Sequence, residues 1–178
     1  MLATDELKAE HRGIEIMLRI LGQLADAAQS GRGLDKADAA DVIEFLRTFA
    51  DKCHHSKEED LLFPALEAAG IPRQGGPVGV MLHEHDIGRG FIKGMSDSLA
   101  SGDMVGFAGA ARGYIELLSN HIAKEDNVLF KMADQALSPQ KQEELVRAFA
   151  AMERDHMGEG VHEAFHAMMD RLAVKYLG

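Results

Sequence analysis

Cysteine is nearly absent from this sequence. The single cysteine, Cys53, cannot form a disulfide within the chain. The N-terminus lacks the basic and apolar blocks of a signal peptide, and no apolar run is long enough to cross a bilayer. Because nothing points to export, we expect a protein of the reducing cytoplasm, in which Cys53 is a small buried hydrophobic residue.

Clusters of basic residues are also lacking. The 178 residues include 29 acidic and 19 basic side chains, which gives a formal net charge of −10, and the basic residues are scattered. Nucleic acid and anionic membranes both attract clustered Lys and Arg, so we expect neither as a partner. With 46% hydrophobic and 27% charged residues, the chain suits one globular domain over residues 1–178.

The alternation of polar and apolar residues that marks a half-buried strand is missing as well. Apolar side chains recur at helical spacing, which predicts an all-α protein with five helices: about Thr4 to Ala28, Asp35 to Pro64, Pro77 to Ser101, Asp103 to Leu137 and Pro139 to Tyr176. Thr4 is expected to cap the first helix, and Pro64 to kink or end the second. We expect an up-down-up-down four-helix bundle over about residues 4–137, with an additional C-terminal helix over about residues 139–176.

The second helix contains two overlapping His-x-x-x-Glu pairs, His54 with Glu58 and His55 with Glu59. A step of four residues puts both members of a pair on one face of a helix. On an ideal α-helix His54 shares its face with apolar residues, whereas His55 shares its face with polar and charged ones. This pattern predicts that His54 and Glu58 point inward and that His55 points to water.

A second copy of the motif follows 67 residues later, as His121 and Glu125 in the fourth helix. The repeat also includes Glu10-His11 in the first helix and Glu84-His85 in the third. In an antiparallel bundle the four repeated histidines lie at a similar level. The predicted metal ligands are therefore His11, His54, Glu58, His85, His121 and Glu125.

A buried layer of four imidazoles and two carboxylates is unfavourable unless a metal satisfies it. Carboxylates from facing helices can bridge two ions while histidines complete each of them, which favours iron. Zinc is the less favoured metal, because a structural zinc site more often uses thiolates and closes on four ligands.

With these residues the sequence resembles the hemerythrin-like (HHE cation-binding) family, which has the order His, His-x-x-x-Glu, His, His-x-x-x-Glu in a four-helix bundle. The resemblance covers about residues 5–135. It implies a non-haem centre of two iron ions per chain, bridged by the two glutamates and an oxo or hydroxo group, that binds or reacts with dioxygen, peroxide or nitric oxide. The sequence departs from the oxygen carriers of the family at Arg89, where their third-helix His-x-x-x-His has its second histidine. This departure favours a site that turns over, senses or stores.

Several interpretations stay open at this point. The chain is either a protein that reacts with these small molecules, an iron storage or iron-sensing protein without turnover, or a helical interaction module with a vestigial metal site. No residue is assigned as catalytic, whether the chain is an enzyme is undecided, and no protein partner is indicated.

Three residues outside the repeat are further candidates. Glu15, one turn after His11, is a salt-bridge partner or an extra ligand. His162 in the fifth helix interrupts an apolar face, and we hypothesise that it supplies the nitrogen that Arg89 lacks, the alternative being a histidine packed between helices. Tyr114 is a core tyrosine or a hydrogen-bond donor to the metal layer.

Overall fold

Six helices make up the structure, a computed structural model that describes residues 1–178. Helix α1 is Ala3–Ser30. Helix α2 is a continuous rod composed of Lys36–Phe45, the π-helical stretches Leu46–His55 and Glu58–Leu62, and the final α-helical turns Phe63–Ala68. Helix α3 is Pro77–Ser101. Helix α4 joins Met104–Lys124, the π-helical turn Glu125–Leu129 and Phe130–Ala136. Helix α5 is Pro139–Met157 and α6 is Val161–Leu177.

The predicted helix starts are confirmed where the sequence supplies a cap or a proline. The side chains of Asp35 and Asp103 each accept a backbone N–H three residues on, and Ser138 does the same at the start of α5. Pro77 occupies the first turn of α3, where its missing N–H leaves no bond unmade. Thr4 is not a cap, because α1 already begins at Ala3, and its hydroxyl donates to Asp134 instead.

Two helix ends differ from expectation. Pro64 does not end α2, since it falls in the first α-helical turn after a π-helical stretch and the helix continues to Ala68. The C-terminal segment is two helices, not one. Gly158 and Gly160 have φ of 85° and 80°, a left-handed backbone that side chains rarely adopt, and the chain turns there. The turn lets α6 fold back onto α1 and α2.

The core is divided into two apolar clusters. One, of 27 buried residues, contains Leu21, Phe45 and Phe107; the other, of 15, contains Leu7, Phe63 and Phe149. His11 lies between Leu7 and Ile14, which belong to different clusters, so a polar layer separates the two. None of the six helices combines the length and the apolar character needed to cross a membrane.

Candidate metal centre

Each of the four bundle helices contributes side chains to the polar layer. The six predicted ligands come from all four helices. They are His11 on α1, His54 and Glu58 on α2, His85 on α3, and His121 and Glu125 on α4. All six are at most 1% exposed to solvent. The structure thus brings the predicted ligands together in one buried layer.

The ligand atoms fall into two groups in which all atoms lie within 4.8 Å of one another: His11, His54, Glu58 and Glu125 in the first, and His55, Glu58, His85 and His121 in the second. Glu58 belongs to both. Its Oε1 lies 3.6 Å from His54 Nε2 and 3.4 Å from His85 Nε2.

Glu125 occupies the equivalent position on the opposite helix. Its Oε1 lies 3.3 Å from Nε2 of His11, a member of the first group. The same oxygen lies 3.1 Å from Nε2 of His121, a member of the second group. Both glutamates therefore reach histidines of both groups, which is the arrangement that bridging carboxylates need.

Several atoms of the layer are buried without a hydrogen-bond partner. They are both carboxylate oxygens of Glu58, both of Glu125, and Nε2 of His11 and His54. An unsatisfied buried polar group costs about 1–3 kcal/mol, so six such atoms in one place are unfavourable unless cations coordinate them. The donor set of imidazole nitrogens and carboxylate oxygens fits a first-row transition metal.

Carboxylates hold the other nitrogen of every imidazole in the layer. The Nδ1 contacts are His11 to Asp126 at 2.7 Å, His54 to Glu10 at 3.0 Å, His55 to Asp51 at 3.3 Å, His85 to Glu59 at 2.7 Å and His121 to Glu84 at 3.0 Å. A carboxylate on Nδ1 fixes that nitrogen as the N–H donor and leaves the Nε2 lone pair for a metal. The imidazoles are thus preset as ligands.

These carboxylates follow the sequence repeat, although sequence reasoning did not assign them this role. Glu10 and Glu84 precede His11 and His85, but each holds the histidine of the neighbouring helix. Glu59 follows the ligand Glu58 in the same way that Asp126 follows Glu125. The internal repeat was the signal that could have identified these residues: Glu59 and Asp126 are related by the 67-residue shift, and Glu10 and Glu84 belong to the repeated Glu-His pair.

His55 lies in this layer, and the expectation that it points to water is wrong. Its side chain is buried, and its ring stacks on that of His85 with the centroids 3.8 Å apart. The cause is the π-helical stretch Leu46–His55, whose turns contain more residues than the 3.6 assumed in assigning the faces. His54 and His55 consequently serve different groups.

The hemerythrin HHE cation-binding domain matches residues 2–133 of the chain. The chain belongs to this hemerythrin family. It is also 30% identical over 131 residues to the iron-sulfur cluster repair protein YtfE of Edwardsiella ictaluri (strain 93-146), an alignment that covers 69% of this chain and 59% of that protein. The chain therefore spans less than two thirds of the length of this relative. No solved structure matches the chain significantly.

Arg89, the residue at which the sequence departs from the expected family pattern, lies beside the carboxylates of the layer. Its guanidinium donates to Asp51 and Glu59, the residues that hold His55 and His85. Arg89 therefore positions two histidines through their carboxylate partners. The imidazole of His55 on α2, linked to Arg89 through Asp51, belongs to the second group of possible ligands.

The two further candidates lie elsewhere. Glu15 pairs with Arg12 and is substantially exposed, and His162 contacts Glu153 and His166 near the turn between α5 and α6. Neither belongs to either ligand group.

The bridging glutamates are coupled electrostatically. Burial, followed by the charge of Glu125, raises the pKa of Glu58 well above its usual value. Burial also opposes ionisation of Glu125, but His121, the neighbouring Glu58 and His11 outweigh it and lower its pKa well below the usual value. Glu58 and Glu125 have carboxylate oxygens within 4.8 Å of each other, so both can stay charged only beside cations. The domain family to which the chain belongs binds cations.

Proposed function

We propose that this hemerythrin-like chain binds two iron ions per chain and uses them to bind or react with dioxygen, peroxide or nitric oxide. The carrying observation is that Glu58 and Glu125 each reach histidines of both ligand groups. One ion would be held by His11 and His54, and the other by the second group's three histidines: His55, His85 and His121.

The first group contains two histidines and the second three, so the two ions would have different surroundings and different roles. Counting both bridging glutamates, the first group offers four side chains and the second five. Because the first group offers fewer side chains, an ion held there would leave more room for a small ligand. Bound iron supplies the redox chemistry, while the chain orients the imidazoles, holds their Nδ1 protons on carboxylates and excludes bulk water.

The similarity to a protein named for iron-sulfur cluster repair supports an iron-handling role. We place this role in a reducing compartment, because the chain has a single cysteine, Cys53, which is buried and unpaired and so gives no sign of disulfide chemistry. Since the chain spans 59% of that relative, the proposal covers the metal centre alone.

The decisive experiment is metal analysis of protein purified from iron-replete cells. We expect about two irons per chain and a visible absorption that changes when the reduced protein meets dioxygen, peroxide or nitric oxide. Glu125→Gln, which removes one bridging carboxylate, should lose the iron pair. One zinc and no iron would contradict the proposal, and two irons that respond to none of the three molecules would favour storage or sensing.

A further inference from the structure

A second group of metal-binding side chains lies outside the bundle core, where the turn between α5 and α6 meets α1. It lines a cavity of about 220 Å³. The polar side chains of its wall are Glu6, Glu10, Glu153, His162 and His166. None of the ligands assigned to the iron pair belongs to this wall.

The two histidines of the cavity are placed like a chelating pair. His162 and His166 are one turn apart on α6, and their Nε2 atoms lie 2.8 Å apart, as a hydrogen bond in which one ring donates to the other and which a bound cation would replace. Two metal–nitrogen bonds of about 2.0–2.1 Å place cis nitrogens roughly 2.9–3.4 Å apart, so a small rotation of either ring admits a cation. In the core, Nε2 of His85 and Nε2 of His121 have a similar separation of 3.2 Å.

Glu153 repeats the carboxylate–histidine contact found throughout the core. Its Oε1 lies 2.6 Å from Nδ1 of His162, which leaves Nε2 of that ring directed at His166. Neither the Oε1 atom nor the Nδ1 atom has an aligned hydrogen-bond partner, and both are shielded from solvent. A carboxylate beside Nδ1 is the usual support of a histidine that binds metal through Nε2.

The charge of the cavity favours a cation. Three carboxylates line the cavity, and the ammonium of Lys57 donates hydrogen bonds to two of them, Glu6 and Glu10. Glu153 forms its salt bridge with His162 and none with a Lys or Arg side chain. The wall therefore keeps negative charge, while the exposed side of His166 leaves the pair open to ions in solution.

We propose that His162 and His166 form an accessory site for a divalent transition-metal cation, with Glu153 positioning His162. The site shares no proposed ligand with the two-iron centre and goes beyond the function proposed above. Imidazole pairs of this kind suit zinc, copper, nickel and ferrous iron.

Zinc is the probe for this site. Iron-loaded protein is titrated with Zn²⁺ in a calorimeter while the visible absorption reports whether iron stays bound. We expect one additional zinc per chain, lost in His162→Gln and in His166→Gln and retained in His156→Gln, whose exposed histidine lies on the same corner. Glu153→Gln should weaken zinc binding about 10–100-fold.

The iron content separates this proposal from the previous one. Both His162→Gln and His166→Gln should keep the wild-type number of irons, because they leave the core ligands intact. No additional zinc in the wild type, or equal zinc binding in these two variants and the wild type, would overturn the accessory site. Loss of iron in His162→Gln would also overturn it, since His162 would then serve the core.

Discussion

The imidazole of His55 stacks on that of His85, with ring centroids 3.8 Å apart and an angle of 16° between the planes. If His55 ligates the second iron, His55→Ala should lower the iron content from about two to about one per chain. The first group keeps all four of its side chains in this variant. Elemental analysis with the visible spectrum measures the change.

The matched control is His83→Ala, an exposed histidine two residues before His85. It should retain both irons. If His55→Ala still bound two irons, His55 would only pack against His85. The six predicted ligands would then hold both ions without it.

The repeat made most of the fold and site predictable. Helix starts at Asp35, Pro77 and Asp103 follow from local chemistry, since a capping side chain or an N-terminal proline acts within one turn. Of the six predicted ligands, His54, Glu58, His121 and Glu125 follow from the spacing of four, which occurs twice. His11 and His85 follow from the repeated Glu-His pair.

Two features could not be predicted from spacing on an ideal helix. The face of His55 depends on the π-helical stretch Leu46–His55, whose turns are wider than those of the ideal α-helix used to assign the faces. The spacing predicts one C-terminal helix over about residues 139–176, but the chain turns at Gly158 and Gly160. Both glycines adopt positive φ, which a pair of glycines permits but does not require.

Lys57 is a fully buried cation whose removal should be strongly destabilising. Its ammonium donates to Glu10 at 2.8 Å, and Glu10 in turn holds His54. Although burial opposes ionisation of Glu10, His54 and Lys57 lower its pKa to about 2. Lys57→Met leaves this carboxylate partly uncompensated, so we expect a loss of about 3–5 kcal/mol in the free energy of unfolding, measured with urea.

The repeat supplies the control for this prediction. Lys124 occupies the position equivalent to Lys57 and bonds Glu84, but its side chain is 45% exposed. Lys124→Met should therefore cost only about 0–1 kcal/mol. Equal losses in both variants would show that the burial of Lys57 does not matter, and the double variant Lys57→Met/Glu10→Gln should recover part of the loss.

Tyr114 packs in the core against Gly88 and is fully buried, and its hydroxyl has no hydrogen-bond partner. Burial raises its pKa far above the usual value. Tyr114→Phe removes an unsatisfied polar group, so stability should stay equal or rise by up to about 1–3 kcal/mol with iron content unchanged. A loss of iron or of stability in this variant would show that the hydroxyl does serve the metal layer.

Asp38, at the start of α2, accepts hydrogen bonds from side chains near the end of α6. Its Oδ2 accepts from Lys175 and from the hydroxyl of Tyr176, both at 2.6 Å, and its Oδ1 accepts from Arg171 at 3.3 Å. Burial alone would raise the pKa of Asp38, but these donors outweigh it and hold the pKa below 3.8. The ionised carboxylate is therefore favoured in the folded state.

The sign of the pH dependence follows from that lowered pKa. The carboxylate stabilises the fold at pH values above its unfolded pKa, and this contribution is lost as the pH falls through the lower folded pKa. Asp38→Asn should cost about 1 kcal/mol near neutral pH, a modest value because the half-exposed Lys175 and Arg171 are screened by water. In urea titrations from about pH 7 to about pH 3, the free energies of unfolding of the two proteins should converge.

Hydrogen exchange in α6 should be faster in Asp38→Asn than in the wild type at neutral pH. Asp41→Asn removes only a surface pair with Arg171 and should match the wild type. A difference that grows at low pH would contradict this account, because it would require a raised pKa for Asp38.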